Sequence, residues 1–238
     1  PHSVAWCLLL GPAAWAQSDA PGHLPEVQVQ GPRDAAIGVA DSASEGAVER
    51  QAFRDRPKLR PGDIVEAVPG VVATQHSGDG KANQYFLRGF NLDHGTDFAV
   101  TVDGMPVNMP THGHGQGYAD LNFLIPDLVS GVRYRKGPYF ADSGDFSLAG
   151  SASLDYLSAL DAPFIETTLG ANRLRRLLAA GSRTRDDQTW LGAIELEGND
   201  GPWDVPERLR KVNPGFIQSD EQLDFLHAYE ADILRRLT

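Results

Sequence analysis

Glycine-spaced histidines mark the part of the sequence best suited to binding chemistry. The segment THGHGQGY, residues 111–118, places His112 and His114 two positions apart with a glycine between them. On an extended chain, side chains at i and i+2 point to the same side, so both imidazoles could reach one metal ion or metal chelate. Local spacing fixes no third ligand, and the alternative is a polar loop that hydrogen-bonds an organic ligand or water.

Short β-branched and aromatic runs surround this segment and predict the sheet that positions it. They are separated by Gly, Asn and Asp turns and read VVATQ (71–75), YFLRGF (85–90), FAVTVDG (98–104), GVRYRKGP (131–138) and GSASLDYL (150–157). A helix is predicted from Asp63, which we expect to cap it, and a second helix from Asp120, with a kink at Pro126. Together these elements predict a compact α+β domain.

After Phe164 the sequence changes to two long extended runs joined by the polar turn RDDQ (185–188). In the second run Trp190 and Ile194 share a face, whereas Glu195 lies on the other. Long strands of this kind are typical of an outer-membrane β-barrel hairpin, although an ordinary soluble hairpin has the same pattern. Near the end, Ser219 and Gln222 form a capping box, which predicts a helical tail over 213–238.

The composition and the N-terminal segments restrict the classes of function. The 238 residues carry a formal net charge of −11, which makes nucleic acid a poor partner. Residues 1–16 contain an apolar run that ends in AWA and are interpreted as the end of an export signal, with a short buried helix as the alternative. Residues 17–60 have the composition of a linker, within which PEVQVQG predicts an isolated strand.

The elements PGDIVEAVPGVVATQ, YFLRGF, VTVDGMPVN, ADLNFLIPDLVSGVRYRKGP and GSASLDYL resemble, in order and spacing, the plug domain of TonB-dependent outer-membrane receptors. The resemblance covers about residues 61–157. PEVQVQG resembles the TonB box of that family, and the strands after Phe164 resemble the beginning of its barrel. After KGP the sequence YFADSGDFSLAGSASLDY departs from the usual pattern, which suggests a distinct subfamily.

The resemblance implies an α+β fold class: a small plug with a mixed sheet and short helices, followed by the first antiparallel strands of an outer-membrane β-barrel. The implied segments are a signal remnant at 1–16, a TonB box and linker at 17–60, a plug at 61–162, barrel strands at 163–212 and a helical tail at 213–238. A barrel of this family has about 22 strands, more than the residues after 163 can supply. We therefore expect the N-terminal part of a receptor.

The implied function is uptake of a scarce nutrient, such as a siderophore, metal chelate or vitamin, across the outer membrane of a Gram-negative bacterium. The implied partners are TonB with its inner-membrane energising complex, a small-molecule or metal-chelate ligand, and outer-membrane lipid around a complete barrel. The alternative is a transport-inactive plug remnant that binds a ligand or TonB in the periplasm. No cofactor is expected.

The resemblance also implies roles for individual residues. The isolated strand would pair with TonB through Glu26, Val27, Gln28, Val29 and Gln30. Three loops, 76–84, 91–97 and 110–118, would face outward and offer candidate ligand-binding residues: His76, Asn83, His94, Asp97, His112, His114, Gln116 and Tyr118. Plug packing is implied for Arg88, Gly89, Asp103, Gly104, Lys136, Gly137 and Pro138, with carboxylate partners on the barrel wall for the cations.

Catalytic motifs do not fit the sequence. GDGK at 78–81 lacks the first glycine and the Ser or Thr of a phosphate loop, and the glycines of THGHGQGY form GxGxG rather than GxGxxG. GxSxG and HExxH are absent. We expect no enzyme and assign no catalytic residue; a metal-assisted hydrolase built from scattered His and Asp residues is the alternative.

Overall fold

A computed structural model describes residues 39–54, 56, 60–75, 78–186, 188–220, 226–229 and 232–234. The predicted export signal at 1–16, the predicted TonB box at 26–30 and His76 lie outside these residues.

The first part of the described chain contains nine strands, one α-helix and two 3₁₀ helices. In chain order they are β1 (Val39–Ser42), β2 (Glu45–Glu49), α1 (Arg50–Arg54), a 3₁₀ helix (Pro61–Ala67), β3 (Val71–Thr74), β4 (Gln84–Leu87), β5 (Phe90–Asn91), β6 (Phe98–Val102), β7 (Met105–Pro106), a second 3₁₀ helix (Pro126–Leu128), β8 (Val129–Lys136) and β9 (Gly150–Tyr156). Six strands form a mixed sheet in the order β1-β2-β8-β9-β6-β7, in which only β6 and β9 pair in parallel. The small sheet β3-β4-β5 is antiparallel.

Alternating apolar residues give the mixed sheet one buried face. β9 alternates between buried and half-buried residues along its whole length, and β6 has the same pattern. Because strand side chains alternate between faces, Phe98, Val100 and Leu154 all point into one core. The 3₁₀ helix Pro61–Ala67 and the segment before β8 cover this core with Val65 and Leu124.

The first two strands correct the predicted linker. Residues 39–49 form β1 and β2, and β2 pairs with β8 from Glu45↔Arg135 to Glu49↔Gly131. The linker boundary at residue 60 is therefore wrong, because β2 obtains hydrogen bonds from β8, far along the sequence, and β1 pairs with β2. A composition rich in small residues concealed them.

Two predicted helices differ from the structure, the first in type and cap and the second in length. Pro61–Ala67 is a 3₁₀ helix, and Asp63 does not cap it; its Oδ2 lies 2.8 Å from Arg60 Nε. Of the helix predicted from Asp120, only Pro126–Leu128 is helical, because an Asx turn links Asn122 N to Asp120 Oδ1 at 2.8 Å and β8 begins at Val129. Within the described ranges no helix is both long enough and apolar enough to cross a membrane.

Two tight turns lie in the first part of the chain; the one at Asp103-Gly104 follows the sequence prediction, whereas the one at Arg88-Gly89 divides YFLRGF, which was predicted as a single strand. Arg88-Gly89 joins β4 to β5, and Asp103-Gly104 joins β6 to β7. All four residues have positive φ, between 46° and 85°, as a two-residue type I′ hairpin requires. Glycine is well suited to the second position because it adopts positive φ without steric cost.

The second part of the chain is a separate antiparallel sheet. Its strands are β10 (Phe164–Leu169), β11 (Arg175–Arg185), β12 (Gln188–Asn199), β13 (Leu209–Asp220), β14 (Leu226–Tyr229) and β15 (Asp232–Leu234). The predicted turn is confirmed, with Arg185 paired to Gln188. The predicted helical tail is wrong for 213–220, 226–229 and 232–234, because β13 pairs with β12 along its full length and both later strands pair with β13.

This second sheet has one exposed apolar face and one buried face of mixed polarity. The apolar face is exposed and includes the cross-strand row Leu177, Leu196 and Val212. Its other exposed apolar residues are Ile165, Leu169, Trp190, Ile194 and Phe216. The opposite face is buried against the first part of the chain and is mixed: it carries the polar residues Arg176, Glu195, Lys211 and Asn213 beside the core residues Leu178, Ala180, Leu191 and Ile217. An exposed apolar face is the reverse of a water-soluble sheet, whose solvent side is polar.

Candidate functional site

Asn108 holds two of the predicted ligand loops together. Its side-chain Nδ2 donates to the carbonyl oxygens of Gly95 at 2.9 Å, Phe98 at 3.0 Å and Gly117 at 2.9 Å. Its Oδ1 accepts the Val100 N–H at 2.6 Å. Because Gly95 belongs to the loop 91–97 and Gly117 to the loop 110–118, one buried amide sets the distance between the two loops.

His94 is the buried centre of the site. Its Nδ1 lies 3.0 Å from the carbonyl oxygens of both Ala82 and Asn83, which belong to the third loop. Carbonyl oxygens only accept hydrogen bonds, so Nδ1 carries the proton and donates it. The lone pair is then on Nε2, which lies 3.7 Å from Asp93 Oδ1.

Asp93 and His114 complete a group of three potential metal ligands with His94. One ligand atom from each of the three residues lies within 4.8 Å of the other two. His114 Nε2 is 3.9 Å from Asp93 Oδ1, and the His94 and His114 rings meet edge to face with centroids 4.4 Å apart. Asp93 is half-buried, and half of the His114 side chain is exposed, so the group opens toward solvent.

Asp93 occupies a backbone conformation that is costly for a residue with a side chain. Its φ is 50°, in the left-handed region. Two hydrogen bonds hold it there: its N–H donates to Asn91 Oδ1 at 2.9 Å, and its carbonyl accepts the Tyr85 N–H at 2.8 Å. Strained residues of this kind concentrate at ligand-binding positions.

His112 lies beside the group rather than within it. Its ring stacks on Tyr118 with centroids 3.9 Å apart and an interplanar angle of 15°. Its Nδ1 accepts the His114 N–H at 3.1 Å, so the chain turns between the two histidines. The extended i, i+2 arrangement that the sequence suggests is therefore not the one observed, and His114 faces His94 and Asp93 instead.

The other predicted ligand residues act mainly through their backbones. The Gln116 carbonyl accepts the Thr96 hydroxyl at 2.9 Å, the Asp97 carbonyl accepts the Ala149 N–H at 2.9 Å, and Asn83 supplies a carbonyl to His94. The Tyr118 hydroxyl accepts a hydrogen bond from the Ala82 N–H at 3.0 Å. Except for the Asp97–Ala149 bond, these contacts join the three loops to one another over the described residues 78–84, 91–97 and 110–118.

Asp120 adds a half-buried carboxyl near the histidines. Burial raises its pKa, although hydrogen bonds from Asn122 and the charges of Lys211 and His112 act in the opposite direction. It lies outside the three-ligand group, and its Oδ1 accepts both the backbone and the side-chain N–H of Asn122.

A second polar cluster joins the two parts of the chain. Arg176 of β11 donates from Nη2 to Asp127 Oδ2 and from Nε to Glu195 Oε1, both at 2.6 Å. Lys211 Nζ lies 2.6 Å from Glu195 Oε2. Asn213 Nδ2 donates to the Phe123 carbonyl at 2.5 Å. All four charged side chains are at most 5% exposed, so the charges are matched inside the molecule rather than by water.

A third contact lies near the ligand loops. The Asp79 N–H donates to Glu207 Oε2 at 2.8 Å, and Asn199 Nδ2 donates to Asp79 Oδ2 at 3.3 Å. The loop between β12 and β13 therefore fixes one of the three ligand loops. Glu207, like Arg176 and Asp127, was not identified from the sequence, because no local pattern distinguishes a surface carboxylate from one that reaches a distant backbone.

The residues predicted to act in plug packing have mixed roles. Asp103 Oδ1 accepts the Tyr156 N–H at 2.8 Å, and the Gly137 N–H donates to the Ala149 carbonyl at 2.7 Å; Pro138 is exposed. Lys136 is buried with its ammonium 5.0 Å from the Tyr134 ring centroid, and burial together with nearby Arg88 lowers its pKa. The carboxylate partners predicted for Arg88 and Lys136 are not found among the described residues.

Asp93 and Asn108 are the functional candidates that sequence analysis missed. Asp93 directly precedes His94, and that adjacent acid–histidine pair was the available signal. Asn108 gave no signal, because its partners are backbone carbonyls from three separate positions.

Comparison with known proteins identifies this architecture. The sequence profile of the TonB-dependent Receptor Plug Domain matches residues 39–151. The siderophore receptor PirA from Acinetobacter baumannii is similar with a TM-score of 0.57 and 15% identity, over 80% of this chain and 31% of its own. A mutant of the ferric enterobactin receptor PfeA from Pseudomonas aeruginosa, in complex with enterobactin, gives 0.57 and 15% over 76% and 31%. The copper transporter OprC gives 0.63 and 16% over 85% and 32%.

These structures establish the likeness of fold, and the chain spans about a third of the length of each receptor. The predicted family and fold class are confirmed, with the plug beginning at 39 rather than 61. Residues 39–151 therefore form the plug domain of a TonB-dependent receptor, and antiparallel strands follow it.

Proposed function

We propose that this chain belongs to a receptor of the Gram-negative outer membrane that takes up a scarce nutrient with energy transmitted by TonB. The observation that carries the proposal is the second sheet, which exposes an apolar face and buries ion pairs on the face that packs against the plug. A barrel strand needs this arrangement, with lipid on one side and the lumen on the other.

The ligand is proposed to meet the plug at the three joined loops. They place imidazole, phenol and carboxylate groups at one surface, where half of the His114 side chain is exposed. The fold is shared with receptors for siderophores and a transporter for copper, which supports a metal-bearing nutrient. Uptake then requires the plug to shift within the barrel, which is the role proposed for TonB.

Lipid contact is tested at the centre of the apolar face. Ile194 is 43% exposed in the middle of β12, opposite Ala179 and Pro214. We expect Ile194→Lys to weaken folding into phospholipid vesicles by about 2–4 kcal/mol, since a charge near the bilayer centre loses its hydration. The free energy is measured by urea titration of the vesicle-bound chain.

Gln218→Lys is the matched control for lipid contact. Gln218 lies on the same face near the end of β13, where a lysine reaches the interface, so the expected cost is about 0–1 kcal/mol. Equal costs for the two variants would contradict a membrane-spanning sheet.

The proposed TonB contact is the strand Glu26–Gln30. Pairing with a sheet edge uses main-chain N–H groups, and proline removes one of them. We expect Val27→Pro in the full chain to lower the affinity for the TonB C-terminal domain about tenfold, the equivalent of one lost hydrogen bond with distortion of its neighbour. Fluorescence anisotropy of a labelled TonB domain gives the affinity.

Ala35→Pro places the same residue in the predicted linker outside this strand and should leave the affinity for TonB unchanged. Equal binding by the Val27→Pro variant and the unmodified chain would refute the proposed TonB box.

A further inference from the structure

We infer that Asp93, His94 and His114 bind a late divalent transition-metal ion directly, with Zn²⁺ and Cu²⁺ as the ions that suit the site best. This inference rests on the proposed uptake function for its biological meaning, since the ion would be cargo. It names the cargo as the metal itself, held by protein side chains, rather than an organic chelator recognised by its shape.

The chemistry of the three side chains selects the class of ion. Two imidazole nitrogens and one carboxylate oxygen form a borderline ligand set that favours zinc, copper and nickel. Mg²⁺ and Ca²⁺ prefer ligand sets built from oxygen. Late divalent ions are therefore expected to bind most tightly, with Cu²⁺ ahead of Zn²⁺ by the general order of affinities.

The protonation of His94 prepares its ligand atom. The carbonyls of Ala82 and Asn83 accept the Nδ1 proton, so the lone pair is on Nε2, 3.7 Å from Asp93 Oδ1. A hydrogen bond from the far ring nitrogen is the usual support of a metal-binding histidine, because it fixes both the tautomer and the ring orientation. His94 is 3% exposed, so packing also restricts its rotation.

The distances are close to those of a coordination shell. Asp93 Oδ1 lies 3.7 Å from His94 Nε2 and 3.9 Å from His114 Nε2. Around a tetrahedral zinc with bonds of about 2.0–2.1 Å, two ligand atoms are roughly 3.3 Å apart. The two separations from Asp93 must therefore shorten by about half an ångström when the ion binds, and the ligand atoms of the two histidines start within 4.8 Å of each other.

The three ligands differ in freedom, which suits capture of an ion from solution. His94 is fixed by the core, and Asp93 by hydrogen bonds to its backbone, whereas His114 lies on an exposed segment between Gly113 and Gly115. His114 can therefore move toward an ion already held by the other two. Three protein ligands leave a coordination position for water or for a donor atom brought by the ion.

The test uses the full chain in detergent micelles, freed of metal with a chelator. Titration with Zn²⁺ and, separately, Cu²⁺ is followed by calorimetry against a competing chelator of known affinity. We expect the highest-affinity site to hold one ion per chain, and His114→Ala and Asp93→Asn each to weaken it at least about tenfold by removal of a ligand. His94→Ala should weaken it as much.

His112→Ala is the matched control, since His112 is also exposed and lies two residues from His114. It should leave the affinity within about threefold of the unmodified chain, because it removes a ring stack and a loop hydrogen bond but no ligand. The Cu²⁺ electron paramagnetic resonance spectrum should show two coupled imidazole nitrogens in the unmodified chain and one in the His114→Ala variant.

Two outcomes would overturn the inference. An equal loss in His112→Ala and His114→Ala would assign the ion to the histidine pair that the sequence suggested. Unchanged affinity in both His114→Ala and Asp93→Asn would assign it to histidines elsewhere in the chain. These two variants alter side chains at the surface, so they keep the test informative even if His94→Ala fails to fold.

The titration is independent of the proposed uptake function. Binding of the ion requires neither TonB nor a membrane. If the metal binds as expected but Val27→Pro leaves the affinity for TonB unchanged, only the proposed TonB contact is refuted. If the ligand variants leave the metal affinity unchanged while Val27→Pro still weakens TonB binding, only the identity of the cargo is refuted.

Discussion

Arg176→Met is expected to cost about 3–5 kcal/mol of the free energy of unfolding, the usual consequence of removing one partner from a buried ion pair. Arg176 neutralises Asp127 on the plug and Glu195 on the neighbouring strand through bonds of 2.6 Å to each. Both carboxylates are buried, and no water replaces the lost guanidinium at low cost. The measurement is urea unfolding of the full chain in detergent, followed by tryptophan fluorescence.

The same pairs predict a compensating variant. Adding Asp127→Asn to Arg176→Met removes one of the stranded charges, so the double variant should recover about 1–3 kcal/mol relative to Arg176→Met alone. Such a recovery would show that the cost arises from an uncompensated buried charge and not from lost packing. A double-mutant cycle over the two sites gives the coupling energy directly.

Arg183→Met provides the control on the same strand. Arg183 is exposed near the turn that follows β11, so its replacement should change the free energy of unfolding by less than about 0.5 kcal/mol. A similar cost for Arg183→Met and Arg176→Met would contradict a specific link between the plug and the strands.

The link has a consequence for proposed transport. Asp127 lies in the 3₁₀ helix directly before β8, and β8 pairs with β2 near the N-terminal side of the plug. Arg50 of α1 also donates to the Asp127 carbonyl at 3.2 Å. A pull on the chain before β1 would therefore act on β2 and α1, which lie one contact away from the buried ion pairs. Buried ion pairs of this kind favour the arrangement in which every charge has its partner over arrangements in which the plug has partly shifted.

The strands of the plug were predictable because their signals are local. FAVTV and GSASLDY alternate between buried and less buried positions, and the Asp103-Gly104 turn is a two-residue hairpin signal. β1 and β2 were not predictable, since β2 is held in the sheet by pairing with β8, more than eighty residues later, and β1 is added to the edge of β2.

The prediction of a helical tail failed for a related reason. The capping box at Ser219 and Gln222 is a genuine local helix signal, but residues up to Asp220 pair with β12 from Leu209 onward. A continuous ladder of hydrogen bonds outweighs a local cap whose contribution is about 1 kcal/mol. The helix predicted from Asp120 is reduced to one 3₁₀ turn, because an Asx turn at Asp120 and the start of β8 at Val129 interrupt the segment at both ends.

The candidate site shows the same division between local and distant information. Spacing identified His114 as a possible ligand, and the loop analogy added His94. The partnership between them could not be read from spacing, because the chain turns at His112 and brings His114 toward Asp93. That approach depends on contacts between loops, and a single asparagine side chain makes several of these contacts.

Asn108→Asp is expected to cost about 3–5 kcal/mol, although it changes one group of nearly equal size. The Asn108 amide donates to three carbonyl oxygens, whereas a carboxylate offers only acceptors at the same positions. The three carbonyls would then face negative charge in a buried site. Chemical denaturation of the full chain in detergent measures the cost.

Asn91→Asp is the control, because it is the same substitution in the same loops with a different hydrogen-bonding role. Asn91 uses its Oδ1 as an acceptor for Gln84 Nε2 at 3.0 Å and for the Asp93 N–H at 2.9 Å, and a carboxylate preserves both bonds. The expected change is below about 0.5 kcal/mol for this exposed position. Comparable costs for the two variants would mean that any added charge disturbs the loops, and the assigned role of Asn108 would be wrong.

Asn108→Asp and Asn91→Asp also separate an effect on folding stability from an effect on the candidate metal site. Asn108 ties Gly95, next to His94, to Gly117, next to Tyr118, so its loss should loosen the approach of His114 to Asp93 as well as the fold. Where Asn108→Asp remains folded at low denaturant, its Zn²⁺ affinity should fall at least about tenfold, because a ligand set that is no longer held in place must be ordered by the ion itself. Asn91→Asp keeps Asp93 in position and should keep the affinity. A folded Asn108→Asp variant with unchanged Zn²⁺ affinity would show that the loops hold their ligands without this amide.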